Sequence, residues 1–218
     1  MKKYDKVFLH DMFNILSLIA IVYHDVQYLY LTTIWDHLGT LELGRDQRDL
    51  ASTLLFLFFI YIVIDTLWIA IIPSCVLSSP MALIVHHLFT FLFLLIPYYV
   101  AQFQWHGAVS IFVEVNVLFL VSRRQFSQNT LMYRILDGIF LLTWFSFRLV
   151  VFPFLFFFYS YEYARYSEQL EGKWRWANIV LLAPALQVIF MLFFSFIFIS
   201  ILISISSSSS PPYLRLYL

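Results

Sequence analysis

Charge is what this chain has least of. Only 12% of its 218 residues are Asp, Glu, Lys or Arg, while 62% are hydrophobic, and mean hydropathy is +0.84. Soluble domains run at roughly 25% charged and 45–50% apolar, so a soluble globular fold is excluded, and the length allows one membrane domain. The little charge present is balanced, 13 basic against 13 acidic residues, which leaves no electrostatic argument for a nucleic-acid partner. Cysteine is nearly absent. The lone Cys75 forbids an intramolecular disulfide, and between Pro73 and Pro80 it reads as an inert loop thiol. No Gly-rich phosphate loop, Gly-x-Ser-x-Gly elbow or Cys-x-x-Cys pair occurs, so nucleotide and thiol chemistry have no local support. No internal repeat is evident, which argues against an inverted-repeat transporter. The basic start, MKKYDK, has no small-residue cleavage site after it, so the first helix reads as an uncleaved anchor.

Long apolar runs are what the chain does have. A spanning helix needs about 20 mostly apolar residues, and six candidates follow: 7–31, 50–72, 81–101, 107–121, 132–158 and 177–204. Lipid forces each to be helical, since backbone groups must bond within their own segment. The expected architecture is an all-α, polytopic bundle of about six transmembrane helices over 7–204, with a low-complexity tail, 205–218. The 107–121 run is short and needs residues from its flanks. The first run is the least regular. His10, Asn14, Ser17, Ile21, His24 and Tyr28 share one helical face, with Asp11 and Asp25 on its edge. That stripe suits a helix facing protein on one side and lipid on the other; a helix lying on the membrane surface is the alternative. Basic residues favour a cytoplasmic N-terminus by a small margin. The run PFLFFFYSYEY from Pro153 reads as a helix end in an aromatic belt.

Against this background the intramembrane polar residues stand out, because such groups are costly unless they face a bundle interior or a water-filled cavity. His86 and His87 are adjacent in the third run and point about 100° apart, so one partner cannot serve both. Either can act as a general acid or base; the alternative is a pair of hydrogen-bonding bridges between helices. Adjacent histidines do not share a face as a His-x-x-x-His pair does, so no metal site is expected. Glu114 in the fourth run needs a cation or a proton, and Arg148 in the fifth cannot lose its charge. Arg148 calls for an acid, backbone carbonyls or an anionic ligand, or snorkels to an interface. Asp137 lies about 16 Å from it along the helix and is not its direct partner. Asp65 in the second run lies 12 residues before Leu77 and His86 lies 9 after it. The connection between Pro73 and Pro80 is short, so Asp65 and the histidine pair fall at similar depth.

At these residues the chain resembles the TLC-domain family, which includes ceramide synthases and translocon-associated membrane proteins. Asp65 and Trp68 precede the His86-His87 pair with Thr90. VEVNVLFLVSRRQF is similar to an acid-centred family segment that ends in a basic turn. DGIFLLTWFSFRLVVFPF is similar to a family span carrying an arginine, and YHDVQYLY places His24 at an earlier family histidine. Glu114-Val115-Asn116 stands where ceramide synthases carry an acidic stretch, which makes the chain more similar to the non-synthase members. The family usually has one more helix ahead of the first histidine span; its absence suggests a short member or an incomplete chain. The resemblance implies a multi-pass protein of lipid homeostasis in the endoplasmic reticulum, with the plasma membrane as alternative. It would bind, sense or move a membrane lipid through Asp65, His86, His87, Glu114, Arg148 and His24, without cofactor. A second implied function is acyl-CoA-dependent N-acylation of a sphingoid base, with His86 and His87 as catalytic residues and acyl-CoA as co-substrate. A third is a structural or translocon-associated role. Protein partners are not specified.

Overall fold

The computed structural model describes residues 3–32, 45–77, 79–100 and 103–166. These form α1 (Lys3–Leu31), α2 (Arg45–Ile71), α3 (Pro80–Tyr99), α4 (Gln104–Ile111), α5 (Glu114–Arg123), α6 (Leu131–Ser146) and α7 (Phe152–Tyr166), with a 3-10 turn at Pro73–Cys75 and a π turn at Phe147–Val151. No strand occurs among the described residues. Five segments are long and apolar enough to cross a membrane: Asp5–Leu31, Gln47–Ile71, Pro80–Tyr99, Gln104–Arg123 and Leu131–Phe158. They correspond to the first five expected runs; the sixth, 177–204, and the 205–218 tail lie outside the described residues. The short fourth run does take residues from both flanks, since α4 and α5 together make a 20-residue span.

Helix boundaries follow local chemistry. Ser79 caps α3, its hydroxyl accepting from the Ala82 amide, and Pro80 occupies the first helical position, where a missing N–H costs nothing. Thr130 caps α6 in the same way through the Tyr133 amide at 3.3 Å. Between α4 and α5 the chain tightens. The amides of Val115 and Asn116 bond to the carbonyls of Phe112 and Val113, three residues back rather than four. Glu114 sits at this join.

The α1 segment runs lengthwise along α2, α4 and α5. Its buried positions are Asp11, Asn14, Leu18, Ile21, Asp25, Tyr28 and Thr32, together with His10. Spacings alternating three and four are the heptad seam of a packed helix. The expected stripe is therefore corrected by one position: Leu18 and Asp25 are buried where Ser17 and His24 are only half-buried. A 3.6-residue projection drifts about 20° per heptad from a strict seam, enough to move the buried edge. α2 lies at the centre, against α1, α3 and α4, while α6 packs chiefly on α5. Leu54, Leu55, Phe58, Ile96, Phe103 and Ile111 fill the core between them.

The Pro73–Cys75 turn buries the Cys75 thiol completely. Burial, and after it the carboxylates of Asp65 and Asp11, push its pKa up. Cys75 is therefore expected to resist maleimide at neutral pH in the folded protein and to label fully once unfolded. Rapid labelling of the native protein would overturn this placement.

Candidate functional site

Three helices bring one polar cluster together. On α1, His10 and Asn14 are one turn apart and both buried. On α2, Tyr61 and Asp65 share the same spacing, with Thr66 next in the chain. α3 contributes His87. His10 Nε2–H donates to Asp65 Oδ1 at 2.7 Å, and His87 Nε2 lies 3.5 Å from Asp65 Oδ2. Asn14 Nδ2 lies 3.2 Å from His10 Nδ1, and the Tyr61 hydroxyl donates to Asn14 Oδ1 at 2.8 Å. His87 Nδ1 lies 3.1 Å from Thr66 Oγ1. Trp68 sets its ring edge-on to His10 at 5.8 Å. One carboxylate thus ties α1 to α3 through α2.

The adjacent histidines have separate environments. His87 turns into the bundle with a side chain 12% exposed. His86, about 100° round the helix, is exposed on the outer side of α3. Its ring centre is 5.8 Å from that of His87. Thr90 does not reach the imidazoles; its hydroxyl donates to the His86 carbonyl at 2.9 Å.

A second group lies across from His86. Arg148 sits half-buried in the π turn. Pro153, shortly after, has no N–H and would clash with the carbonyl four residues back in a regular helix. The wider turn avoids that conflict, and the Phe152 amide reaches back to Phe147. Arg148 lies within electrostatic reach of Glu114 and of His86, and its guanidinium carbon is 5.7 Å from the centre of the Phe152 ring. Glu114 in turn lies within reach of Asp65 and Tyr61. Asp65, His86, His87, Glu114 and Arg148 therefore share one electrostatic neighbourhood.

His24 does not join them. It lies 14 residues along α1 from His10, about 21 Å away at 1.5 Å per residue, with Nδ1 unbonded among the described residues. Its neighbour Asp25 is fully buried and accepts no hydrogen bond from them. Asp137 pairs with Arg123, whose guanidinium also covers the Phe140 ring at 4.3 Å, so Asp137 is no partner of Arg148. Asn116 donates to the Phe140 carbonyl at 2.8 Å and to Thr143 Oγ1 at 3.0 Å, joining α5 to α6. Asp11 accepts from Gln125 at 3.1 Å and faces Arg124 at 3.5 Å, joining α1 to the end of α5.

His10, Asn14, Tyr61 and Thr66 are the members that reasoning from sequence did not single out as site residues. The four-residue spacings of His10 with Asn14 and of Tyr61 with Asp65 were the available signal. A concavity of about 270 Å³ lies elsewhere, lined by Gln27, Tyr30, Leu31 and Leu50, and none of the expected ligand residues borders it. Among the described residues no three of His, Cys, Asp and Glu are placed to share a metal ion.

In chemical terms the arrangement has an inner and an outer part. The inner part flanks His87 at both ring nitrogens, Thr66 on one side and Asp65 on the other. The outer part presents His86 and Arg148 at membrane depth, with Glu114 beside the guanidinium. No curated protein and no solved structure matches the chain. The family model described as the TLC domain matches residues 7–199. A polytopic helical membrane protein with this match over nearly its whole length belongs to the TLC-domain family.

Proposed function

We propose that this multi-pass membrane protein binds, senses or moves a membrane lipid with an anionic head group, as part of lipid homeostasis in the endoplasmic reticulum. The observation that carries the reading is Arg148, a permanent cation half-buried in a π turn within a spanning segment, beside the exposed imidazole of His86. A cation at membrane depth is stabilised by an acid or an anionic ligand. Glu114 supplies part of that stabilisation, and a phosphate or carboxylate seated between Arg148 and His86 adds to it. Charge-assisted hydrogen bonds from a guanidinium are among the stronger polar contacts. His86, on the outer side of α3, gives the head group a lateral approach from the bilayer.

The test is mass spectrometry of lipids co-purifying with wild-type protein, Arg148→Ala and His86→Ala. A defined anionic lipid is expected with the wild type and at least about tenfold less with Arg148→Ala, a difference of about 1.4 kcal/mol. Equal recovery from all three would remove the assignment.

One observation favours an enzyme as second reading: Asp65 and Thr66 hold His87 in a fixed orientation, and an oriented imidazole is a recurrent catalytic device. In that reading the protein is an acyl-CoA-dependent sphingoid-base N-acyltransferase. Ceramide formation by purified protein, lost in His87→Ala, would select it. Both nitrogens of His87 face inward in this arrangement, which favours the lipid-handling reading.

A further inference from the structure

Donor bookkeeping in the inner cluster leaves one position open. Thr66 has a single hydroxyl hydrogen, and it is directed at the Ile62 carbonyl at 2.6 Å. Thr66 Oγ1 can therefore only accept from His87, so His87 Nδ1 carries a hydrogen. On the other side, His10 Nε2 spends its hydrogen on Asp65 Oδ1 at 2.7 Å. Asn14 Nδ2 lies 3.2 Å from His10 Nδ1 and 3.4 Å from Nε2, and its own carbonyl takes the Tyr61 hydroxyl. A neutral His87 carrying its hydrogen on Nδ1 then presents a bare Nε2 to Asp65 Oδ2. The two acceptors face each other at 3.5 Å, against 2.7 Å for the bonded His10.

We propose that the gap between His87 Nε2 and Asp65 Oδ2 is a binding site for a single proton. A proton taken from water forms an Nε2–H bond and leaves an imidazolium held against a carboxylate. Proton release restores the two facing acceptors. The site lies six residues from the Ile71 end of α2 and seven from the Pro80 start of α3, about 10 Å along the helices from those ends. Titratable and charged groups lie on the elements packed around it, including buried His106 of α4, which packs against both α2 and α3. His10 and Asp11 belong to α1, Tyr61 to α2, Cys75 to the 3-10 turn, His86 to α3, Glu114 to α5 and Arg148 to the π turn. Proton uptake and release is then an activity of the bundle itself, independent of which ligand the outer groups accept.

The experiment is ¹⁵N spectroscopy of the full chain, histidine-labelled, in phosphatidylcholine nanodiscs from about pH 8 to about pH 5, where imidazole titrates. His10→Asn and His87→Asn assign the signals. His87 is expected as the Nδ1–H form at the upper end, gaining a second N–H on acidification. Thr66→Val, which removes the acceptor for Nδ1–H, is expected to move the His87 hydrogen to Nε2. Wild-type His87 in the Nε2–H form would overturn the proposal, because the gap would already be filled. Failure of His87 to gain a second N–H across the range would overturn it equally.

Discussion

Asp65→Ala should be the most damaging single polar substitution in the described bundle, lowering stability by about 2–3 kcal/mol. A single hydrogen bond between membrane helices is worth only about 0.6 kcal/mol on average. Asp65 differs from such a case in two ways. It is 3% exposed, and its removal leaves the His10 Nε2–H as a buried donor without an acceptor, which costs about 1–3 kcal/mol. It also stands between histidines from two helices, accepting from His10 and lying 3.5 Å from His87, so its loss loosens both contacts together. Thr143→Ala is the matched control. It removes one neutral contact to Asn116, which keeps the Phe140 carbonyl as an acceptor, and should cost about 0.6 kcal/mol. Reversible unfolding in mixed micelles measures both. Equal losses for the two variants would show that water or a rotated side chain replaces Asp65, and that the three-helix tie is not structural.

The second large effect is expected at Gly107, from packing rather than charge. A Cβ placed there would lie 2.9 Å from Pro97 Cβ and 3.0 Å from Pro97 Cγ, with Leu55 Cδ2 at 3.4 Å. The Pro97 ring is fixed inside α3 and cannot rotate away. Gly107→Ala gains about 1 kcal/mol of helix propensity. Forcing α3 and α4 apart costs typically 1–3 kcal/mol and should win, for a net loss of up to about 2 kcal/mol. Gly138→Ala supplies the opposite sign. Nothing described lies within 4 Å of its Cβ, so the propensity gain of about 1 kcal/mol stands alone. Two glycine-to-alanine changes in one membrane domain would then shift the unfolding midpoint in opposite directions. A stabilised Gly107→Ala would mean that α3 and α4 do not meet at Pro97.

Sequence reached some features of this bundle more readily than others. The five described spans follow from apolar length, because hydrocarbon thickness sets helix length and leaves few alternatives. The approach of Asp65 to His87 follows from counting residues on either side of a short turn, since helix rise is constant. His10 was on the expected stripe, yet nothing local to α1 says that it meets Asp65, 55 positions away. Helix rotation decides that, and rotation depends on the packing of all neighbours. The same limit explains the displaced buried face of α1, where Asp25 replaces His24. His24 was placed with the site through a family motif, and a motif carries no distance. The inward and outward division of His86 and His87 was half legible: their divergence follows from helical geometry, but which one faces Asp65 does not.

The π turn at Phe147–Val151 also acts as a phase shifter. An extra residue in a helical turn advances every later side chain by about 100°. Downstream, Phe158 stacks on His106 at 5.1 Å and meets Trp105 edge-on at 5.6 Å, with Leu155 fully buried on the same side. A helix continuing without the dislocation would turn these aromatic contacts away from α4. The local widening that places Arg148 beside Glu114 thus also sets the angular register in which the far end of the same span closes against its neighbour.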